Sequence, residues 1–201
     1  MRYTVIIIAI LFLSQAKAQE DYVIRINDTT FKISLDKKYA LIMDGRKINF
    51  ILSANDTLIY NDDLYSFLYS KDFRVSKTKV EGGIEQIMLM TAEGSGILIQ
   101  KYPSLNPTTL NEIMLTEVIK ESLSYGYELK RNDYNRTLSS GQKIQINKAV
   151  LKYKDDTNVY EVASIGKKDE GILIITMVMD QNNSKQGQKL IDLMWSSLIY
   201  K

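Results

Sequence analysis

The chain of 201 residues has no cysteine, no histidine, only two prolines and a single tryptophan. The absence of Cys and His excludes disulfides, thiolate chemistry, Ser-His or Cys-His nucleophile pairs, and zinc sites built from nitrogen and sulfur ligands. Catalysis would have to use carboxylates, Lys, Tyr or oxygen-ligated metals, each of which needs a specific arrangement of residues. Hydrophobic residues make up 45% of the chain and charged residues 25%, which is typical of about one globular domain.

The motifs that such chemistry uses are incomplete in this sequence. Ser-x-x-Lys, a nucleophile pattern of penicillin-recognising enzymes, lacks its companions Ser-Asp-Asn and Lys-Thr-Gly. It begins in the mature chain at Ser34, Ser76, Ser140 and Ser164. The acidic pairs Asp62-Asp63 and Asp155-Asp156 do not follow the spacing of a calcium loop and indicate solvated turns. We therefore expect a protein that is not an enzyme and that uses no cofactor and no metal.

The first 18 residues have the pattern of a secretory signal peptide. A short basic start at Arg2 precedes nine consecutive apolar residues, Val5 to Leu13, and the small residues around Ala18 fit a cleavage site. The apolar run is too short to span a membrane, so no permanent membrane anchor is expected. We predict cleavage near Ala18 and a mature protein that is periplasmic or secreted.

Cleavage would also change the charge of the protein. It removes two of the 26 basic residues and none of the 24 acidic residues, so the mature chain has no net charge. Binding to nucleic acid requires clustered Lys and Arg to neutralise phosphates, and a neutral, mixed surface argues against such a partner.

The mature chain begins with a predicted β-ribbon at residues 19–63. Strand-like segments flank the favoured turn pair Asp44-Gly45, which predicts a hairpin. A polar stretch from Ala54 to Asp63 then reads as a seam before the main domain, residues 64–201.

The main domain alternates between strand and helix patterns. Short strands are predicted at residues 65–69, 73–76, 84–90 and 97–102. They lead to a helix that opens near Asn106-Pro107, with Thr109 and Glu112 as a capping box, and ends at Gly126. More strands follow. The run Ile172 to Met179 is apolar at odd and even positions alike, which predicts a central strand buried on both faces. A closing helix is predicted after Ser184, with Leu190, Met194 and Leu198 on one stripe and Ile191, Trp195 and Ile199 beside them. Trp195 is expected to be buried and to anchor this helix against the sheet. The expected fold class is α+β, with a largely antiparallel sheet flanked by two main helices in an α/β/α sandwich.

The element order, together with the segments GSGILIQKY, SYGYELK and EGILIITMVM, resembles the PsbP/DcrB-like fold over about residues 65–201. The resemblance implies non-enzymatic work, such as photosystem assembly, envelope functions or binding of secretion-system effectors. Asp28-Thr29-Thr30 and Asp56-Thr57-Leu58 are similar to the O-glycosylation motif of exported Bacteroidetes proteins. The N-terminal ribbon lies outside the resemblance.

Two functions of different classes remain open. The first is a protein-binding module of the bacterial cell envelope, either an accessory subunit or an immunity-type protein, whose partner is another protein. Seven of the thirteen tyrosines are candidate contact residues: Tyr60, Tyr65, Tyr69, Tyr102, Tyr125, Tyr127 and Tyr134. We predict the binding surface at Tyr60, Tyr65, Tyr69 and Tyr102. The second is a carrier of a small apolar molecule or lipid, since the chain contains eight methionines, which adapt to irregular ligands.

Overall fold

The structure is a computed structural model that describes residues 22–26, 28–43 and 45–201. The chain divides into two compact units, of which the first ends at Asn55 and the second spans Asp56–Lys201. The predicted signal peptide and Asp44 of the predicted turn lie outside the described residues.

The first unit contains two antiparallel hairpins, of which only the second is the hairpin that the sequence predicts. They comprise β1 (Tyr22–Ile26) with β2 (Thr29–Ile33), and β3 (Lys38–Met43) with β4 (Arg46–Ile51). In the second hairpin the rings of Tyr39 and Phe50 stack across the pair with centroids 5.7 Å apart. The Tyr39 hydroxyl also accepts a hydrogen bond from the backbone N–H of Ser34 at 2.7 Å.

The second unit opens with a small sheet that the sequence did not predict in full. Thr57–Asn61 forms β5, which pairs with β6 (Tyr65–Ser70), so the predicted polar seam contains a strand and the division between units falls earlier, after Asn55. Thr57–Asn61 forms a strand despite its polar composition, because β6 supplies backbone hydrogen-bond partners for it. The C-terminal residues Ile199–Tyr200 pair with the other side of β6.

The main sheet of the second unit is antiparallel throughout and contains eight of the described strands. In chain order they are β7 (Ser76–Lys79), β8 (Glu85–Met90), β9 (Gly96–Tyr102), β10 (Glu128–Arg131), β11 (Tyr134–Thr137), β12 (Lys143–Tyr153), β13 (Asp156–Gly166) and β14 (Gly171–Val178). Their spatial order is β10-β12-β13-β14-β9-β8-β7, and β11 also pairs with β12. The central position of β14 confirms the prediction from its apolar run.

The two helices cover opposite faces of this sheet. Helix α1 (Asn111–Ser124) packs on β12 and β13, while α2 (Lys185–Ser197) packs on β6, β9 and β14. Because side chains alternate along a strand, Leu173 of β14 belongs to the core beneath α1 and Ile174 to the core beneath α2. The three-stranded sheet shares the second core. The protein is thus α+β, with the antiparallel sheet between two helical layers.

Three predicted details of these elements are wrong. The expected capping box does not form, because a short 3₁₀ turn at Pro107–Thr109 precedes α1 and Asn106, rather than Thr109, accepts the hydrogen bond from the N–H of Thr108. The strand expected at residues 73–76 lies at Ser76–Lys79. The closing helix ends at Ser197, since the next residues pair with β6 instead.

Helix α1 is less completely covered than its apolar pattern indicates. Leu115 and Ile119 are buried, whereas Ile113 is 64% exposed and Leu123 is 39% exposed. In α2, by contrast, Met194 and Trp195 are both buried, and the burial of Trp195 confirms the prediction. In the part of the chain that the structure describes, no helix is both long and apolar enough to cross a membrane.

Candidate binding surfaces

The structure brings together three of the four predicted tyrosines. Tyr65 and Tyr69 alternate along β6, and the pairing with β5 places Tyr60 on the same face, opposite Phe67. The ring centroids of Tyr60 and Tyr65 are 5.5 Å apart, those of Tyr60 and Phe67 5.4 Å, and those of Phe67 and Tyr69 6.3 Å. We call these four residues the aromatic stack.

The aromatic stack faces the core rather than the solvent. Tyr65 is 2% exposed, and Tyr60 and Tyr69 are half-buried against the hydrophobic cluster beneath α2. Burial raises the pKa of the Tyr65 hydroxyl, which therefore stays protonated. Only Tyr60 and Tyr69 of this group have ring area that a partner can reach without a rearrangement.

The fourth predicted residue, Tyr102, lies apart from the other three. It belongs to the hydrophobic cluster beneath α1, on the opposite face of the main sheet, and it is 7% exposed. Its hydroxyl donates a hydrogen bond of 2.8 Å to Oε1 of Gln100, and burial raises its pKa. Tyr102 therefore packs the core in this structure.

A charged cluster joins the turn between β5 and β6 to the main sheet. The ammonium of Lys101 lies 2.9 Å from Oδ1 of Asp62 and also contacts Asp63. The hydrogen bond with Asp62 and the contact with Lys101 lower the pKa of Asp63. Burial disfavours the charged form of Lys101, but the contacts with Asp63 and Asp62 outweigh it and raise the pKa of Lys101. The ammonium offsets one of the two carboxylate charges and ties the two sheets together.

A second group of tyrosines is more exposed than the predicted one. Tyr125 follows α1 and is 69% exposed, Tyr127 precedes β10 and is half-buried, and Tyr153 ends β12 and is 39% exposed. The rings of Tyr127 and Tyr153 are in contact, with centroids 5.3 Å apart. We call Tyr125, Tyr127 and Tyr153 the tyrosine patch.

The turn between α1 and β10 creates this patch. Gly126 has a φ of 91°, a backbone conformation that favours glycine and that reverses the chain directly after the helix. An added Cβ at this position would lie 3.8 Å from the Tyr153 ring, which shows how closely that ring covers the turn. Leu123 and Leu129 flank the turn with exposures of 39% and 43%, and the ammonium of Lys154 lies 5.0 Å from the centre of the Tyr153 ring.

Tyr153 is the member of the patch that the sequence did not single out. Tyr125 and Tyr127 are among the candidate contact residues that the sequence analysis names. Tyr153 is predicted only as the last residue of a strand. The feature that could have identified Tyr153 is its position in the chain. Tyr153 is the last residue before the Lys154-Asp155 turn. The end of a strand that extends beyond the helix packed on it is exposed.

A cleft of the second unit lies beside α2. Its volume is about 560 Å³, within the range of small-molecule sites. It is formed by the loop between β6 and β7, the turn between β8 and β9, and one flank of α2. The apolar part of its wall consists of Phe73, Met90, Leu190 and Leu193, and the charged side chains around it are Asp72, Arg74, Glu93 and Lys189.

Several polar groups outside these surfaces have partners that fit structural roles. Ser164, one of the Ser-x-x-Lys serines, is buried and donates to Oδ1 of Asn111 at 2.6 Å. Glu161 is buried beneath α2 and accepts from Lys148 and from the Tyr134 hydroxyl, both at 3.0 Å. Over the residues that the structure describes, no group of three or more Asp or Glu side chains is placed to hold a metal ion.

Comparison with known proteins adds no assignment to these surfaces. No protein-family model matches the chain, and the search of curated proteins finds no match.

Proposed function

We propose that this protein is an exported protein-binding module of the bacterial cell envelope and that it binds its partner through the tyrosine patch. The sequence supports export through its signal-peptide pattern. The observation that carries the binding proposal is the convergence of Tyr125, Tyr127 and Tyr153 at one turn, with two of the three rings more than a third exposed.

Tyrosine is suited to this role for physical reasons. A Tyr ring contributes a large contact area at a small cost in side-chain entropy, and its hydroxyl retains a hydrogen bond at an interface. The patch has no buried charge that binding would leave unpaired, and Lys154 stacks over one ring. The resemblance to the PsbP/DcrB-like fold favours the same class of function.

The aromatic stack, which contains Tyr60, Tyr65 and Tyr69 of the predicted surface but not Tyr102, is the second place where the same partner could bind. Its accessible members are Tyr60 and Tyr69, which are half-buried. The two surfaces make different predictions for substitutions, so one experiment separates them.

The test introduces a photo-cross-linking residue at position 125, 153 or 69 in the cells that produce the protein. Ile59 is the matched control, because it is 69% exposed and lies in β5 away from the α1 turn. We expect one discrete adduct from positions 125 and 153 and none from position 59. Adducts from position 69 alone would move the site to the aromatic stack, and equal adducts from all positions would contradict a specific surface.

Affinity for the cross-linked partner, once it is purified, gives the second readout. Truncation of an interface hot spot typically costs at least about 2 kcal/mol, or about 30-fold in affinity. We expect Tyr125→Ala with Tyr153→Ala to weaken binding by at least this factor, and Ile59→Ala to leave it unchanged. Unchanged binding by the folded double variant would refute the patch.

The cleft beside α2 favours the second candidate, a carrier of a small molecule or lipid. Its volume and apolar wall suit such a ligand. Native mass spectrometry of the protein purified from its producing cells tests this candidate directly, since a carrier would retain a bound molecule of defined mass.

A further inference from the structure

Strand β10 forms one edge of the main sheet. It pairs with β12 on one side, and among the strands that the structure describes none pairs with its other side. Glu128, Leu129 and Lys130 of this strand are all exposed. An edge strand presents backbone N–H and C=O groups that a further strand can bind. The main sheet can therefore be extended at β10.

The register of β10 on β12 shows which backbone groups point to the open edge. The N–H of Asn132 donates to the carbonyl oxygen of Lys148 at 3.0 Å, which continues the register by one residue with a hydrogen-bonded pair. Hydrogen-bonded and non-hydrogen-bonded pairs alternate along an antiparallel ladder. Leu129, at an odd spacing from Asn132, is therefore in a non-hydrogen-bonded pair with Leu151. Its N–H and C=O point away from β12.

The side chains of Glu128 and Lys130 lie on either side of Leu129, on the face of the sheet opposite α1. Leu129 is paired with Leu151, which belongs to the core beneath α1, so the residues next to Leu129 point to the other face. Neither Glu128 nor Lys130 has a side-chain ion pair or hydrogen bond with another residue that the structure describes. The edge thus offers one carboxylate and one ammonium without partners.

This order of charges is complementary to itself when the strand is reversed. In an antiparallel pair of two β10 strands centred on Leu129, Glu128 of each copy lies opposite Lys130 of the other copy. The N–H of each Leu129 then faces the C=O of the other Leu129. The neighbouring registers, centred on Glu128 or Lys130, would place like charges opposite each other, which is destabilising.

The other edge of the main sheet, β7, does not have this property. The N–H of Val80 donates to the carbonyl oxygen of Ile84 at 2.9 Å, and by the same alternation the backbone groups of Lys77 and Lys79 point outward. A pair of two β7 strands centred on Lys77, Thr78 or Lys79 would place lysine opposite lysine. Lysine on an edge strand commonly prevents association. A second copy therefore fits β10 and not β7.

We propose that two copies of the protein associate through β10, in an antiparallel pair centred on Leu129. The two-fold axis of this pair is perpendicular to the sheet, so the tyrosine patches of both copies lie on the same face of one continuous sheet. One short strand makes a small contact compared with the roughly 1,600 Å² of a standard interface, so the dimer is weak and reversible. This inference goes beyond the proposed function and does not depend on which protein binds the tyrosine patch.

Sedimentation velocity of the exported protein measures the association. We expect a reversible dimer that forms as the protein concentration rises from about 10 to about 500 µM. Glu128→Lys and Lys130→Glu each place like charges opposite each other across the axis. Each variant alone, shown to be folded by circular dichroism, should therefore associate at least about 10-fold more weakly than the parent.

An equimolar mixture of these two variants is the decisive sample. A heterodimer of Glu128→Lys with Lys130→Glu has opposite charges in both cross-strand positions, so the mixture should associate like the parent. Lys168→Glu, in the exposed loop between β13 and β14, is the control and should also associate like the parent. A parent that stays monomeric at about 500 µM would overturn the proposal. A mixture that stays as monomeric as the separate variants would overturn it as well.

Disulfide trapping tests the register, because the chain has no cysteine of its own. Positions 128 and 130 of opposite copies form a non-hydrogen-bonded pair with Cα atoms about 4.5 Å apart, within the range of a disulfide. Position 128 lies diagonally from its own copy at about 7 to 8 Å. We expect oxidation to link a mixture of Glu128→Cys and Lys130→Cys, and to link neither variant alone. Equal linking of the separate variants would contradict the register.

Discussion

Of the single substitutions in α2, truncation of Trp195 should cost the most stability. Its side chain is 3% exposed and lies in the core between α2 and the main sheet. Truncation of a buried Trp to Ala costs about 3 to 5 kcal/mol, because the transfer free energy is lost and a cavity remains. A typical domain is stable by about 5 to 15 kcal/mol, so Trp195→Ala should lose a large share of the stability or unfold the protein.

Two further features of Trp195 affect the stability that Trp195→Ala should lose. The guanidinium of Arg136 lies 5.0 Å from the ring centre, a cation–π contact whose loss adds about 0.5 to 2 kcal/mol. The indole N–H is buried and has no hydrogen-bond partner among the residues that the structure describes, and removal of an unsatisfied donor returns about 1 to 3 kcal/mol. Trp195→Phe keeps an aromatic ring and removes the unsatisfied donor, so it should cost less than half as much as Trp195→Ala.

Urea denaturation and thermal unfolding, both followed by far-UV circular dichroism, measure the free energy of unfolding and the melting temperature of both variants. Fluorescence is unsuitable because Trp195 is the only tryptophan. We expect Trp195→Ala to lower the melting temperature by roughly 6 to 20 °C. Ile113→Ala, on the exposed side of α1, should stay within about 0.5 kcal/mol of the parent. A loss below about 1 kcal/mol for Trp195→Ala would refute the packing role, and equal losses for the Ala and Phe variants would refute the cost assigned to the buried N–H.

Two further predictions concern pH and maturation. The pKa of Asp63 is lower in the folded protein than in the unfolded chain, so its contribution to stability is present above the ordinary Asp pKa of about 4 and is lost as the pH falls through the folded value. Because the Asp63 side chain is 73% exposed, Asp63→Asn should lower the melting temperature at pH 7 by no more than about 4 °C. The difference should shrink below pH 4, and a difference that grows in acid would contradict this reasoning. The mature protein should begin at Gln19, as N-terminal sequencing of exported material will test, and an intact Met1 in the membrane fraction would show that the segment is not cleaved.

The secondary structure followed from local sequence patterns wherever the pattern was long. The apolar run of β14 predicted a strand buried on both faces, and the structure places that strand at the centre of the main sheet. Short elements were predicted less well. The strand β5 was missed because its sequence is polar at both ends, and its formation depends on pairing with β6.

The start of α1 also shows where local sequence patterns fail to predict the structure. Thr109 and Glu112 have the spacing of a capping box, yet Glu112 instead contacts Arg131 and accepts a hydrogen bond from Asn147 at 2.8 Å. A local motif competes with partners that the fold brings from distant parts of the chain. The sequence shows the motif and not its competitors.

The sequence by itself excluded the chemistry that needs cysteine or histidine, showed the pattern of an export signal and predicted the α+β class. Composition and periodicity are properties of the linear chain. Only the tertiary structure decided which tyrosines reach solvent. Tyr65 and Tyr125 are the same residue type, but Tyr65 lies in the middle strand of the small sheet with its ring in the core, and Tyr125 follows the end of a helix. Exposure depends on the elements that pack over a side chain, and these are separated from it in sequence. For the same reason the cleft beside α2, which joins residues 70 to 193, was visible only in the folded chain.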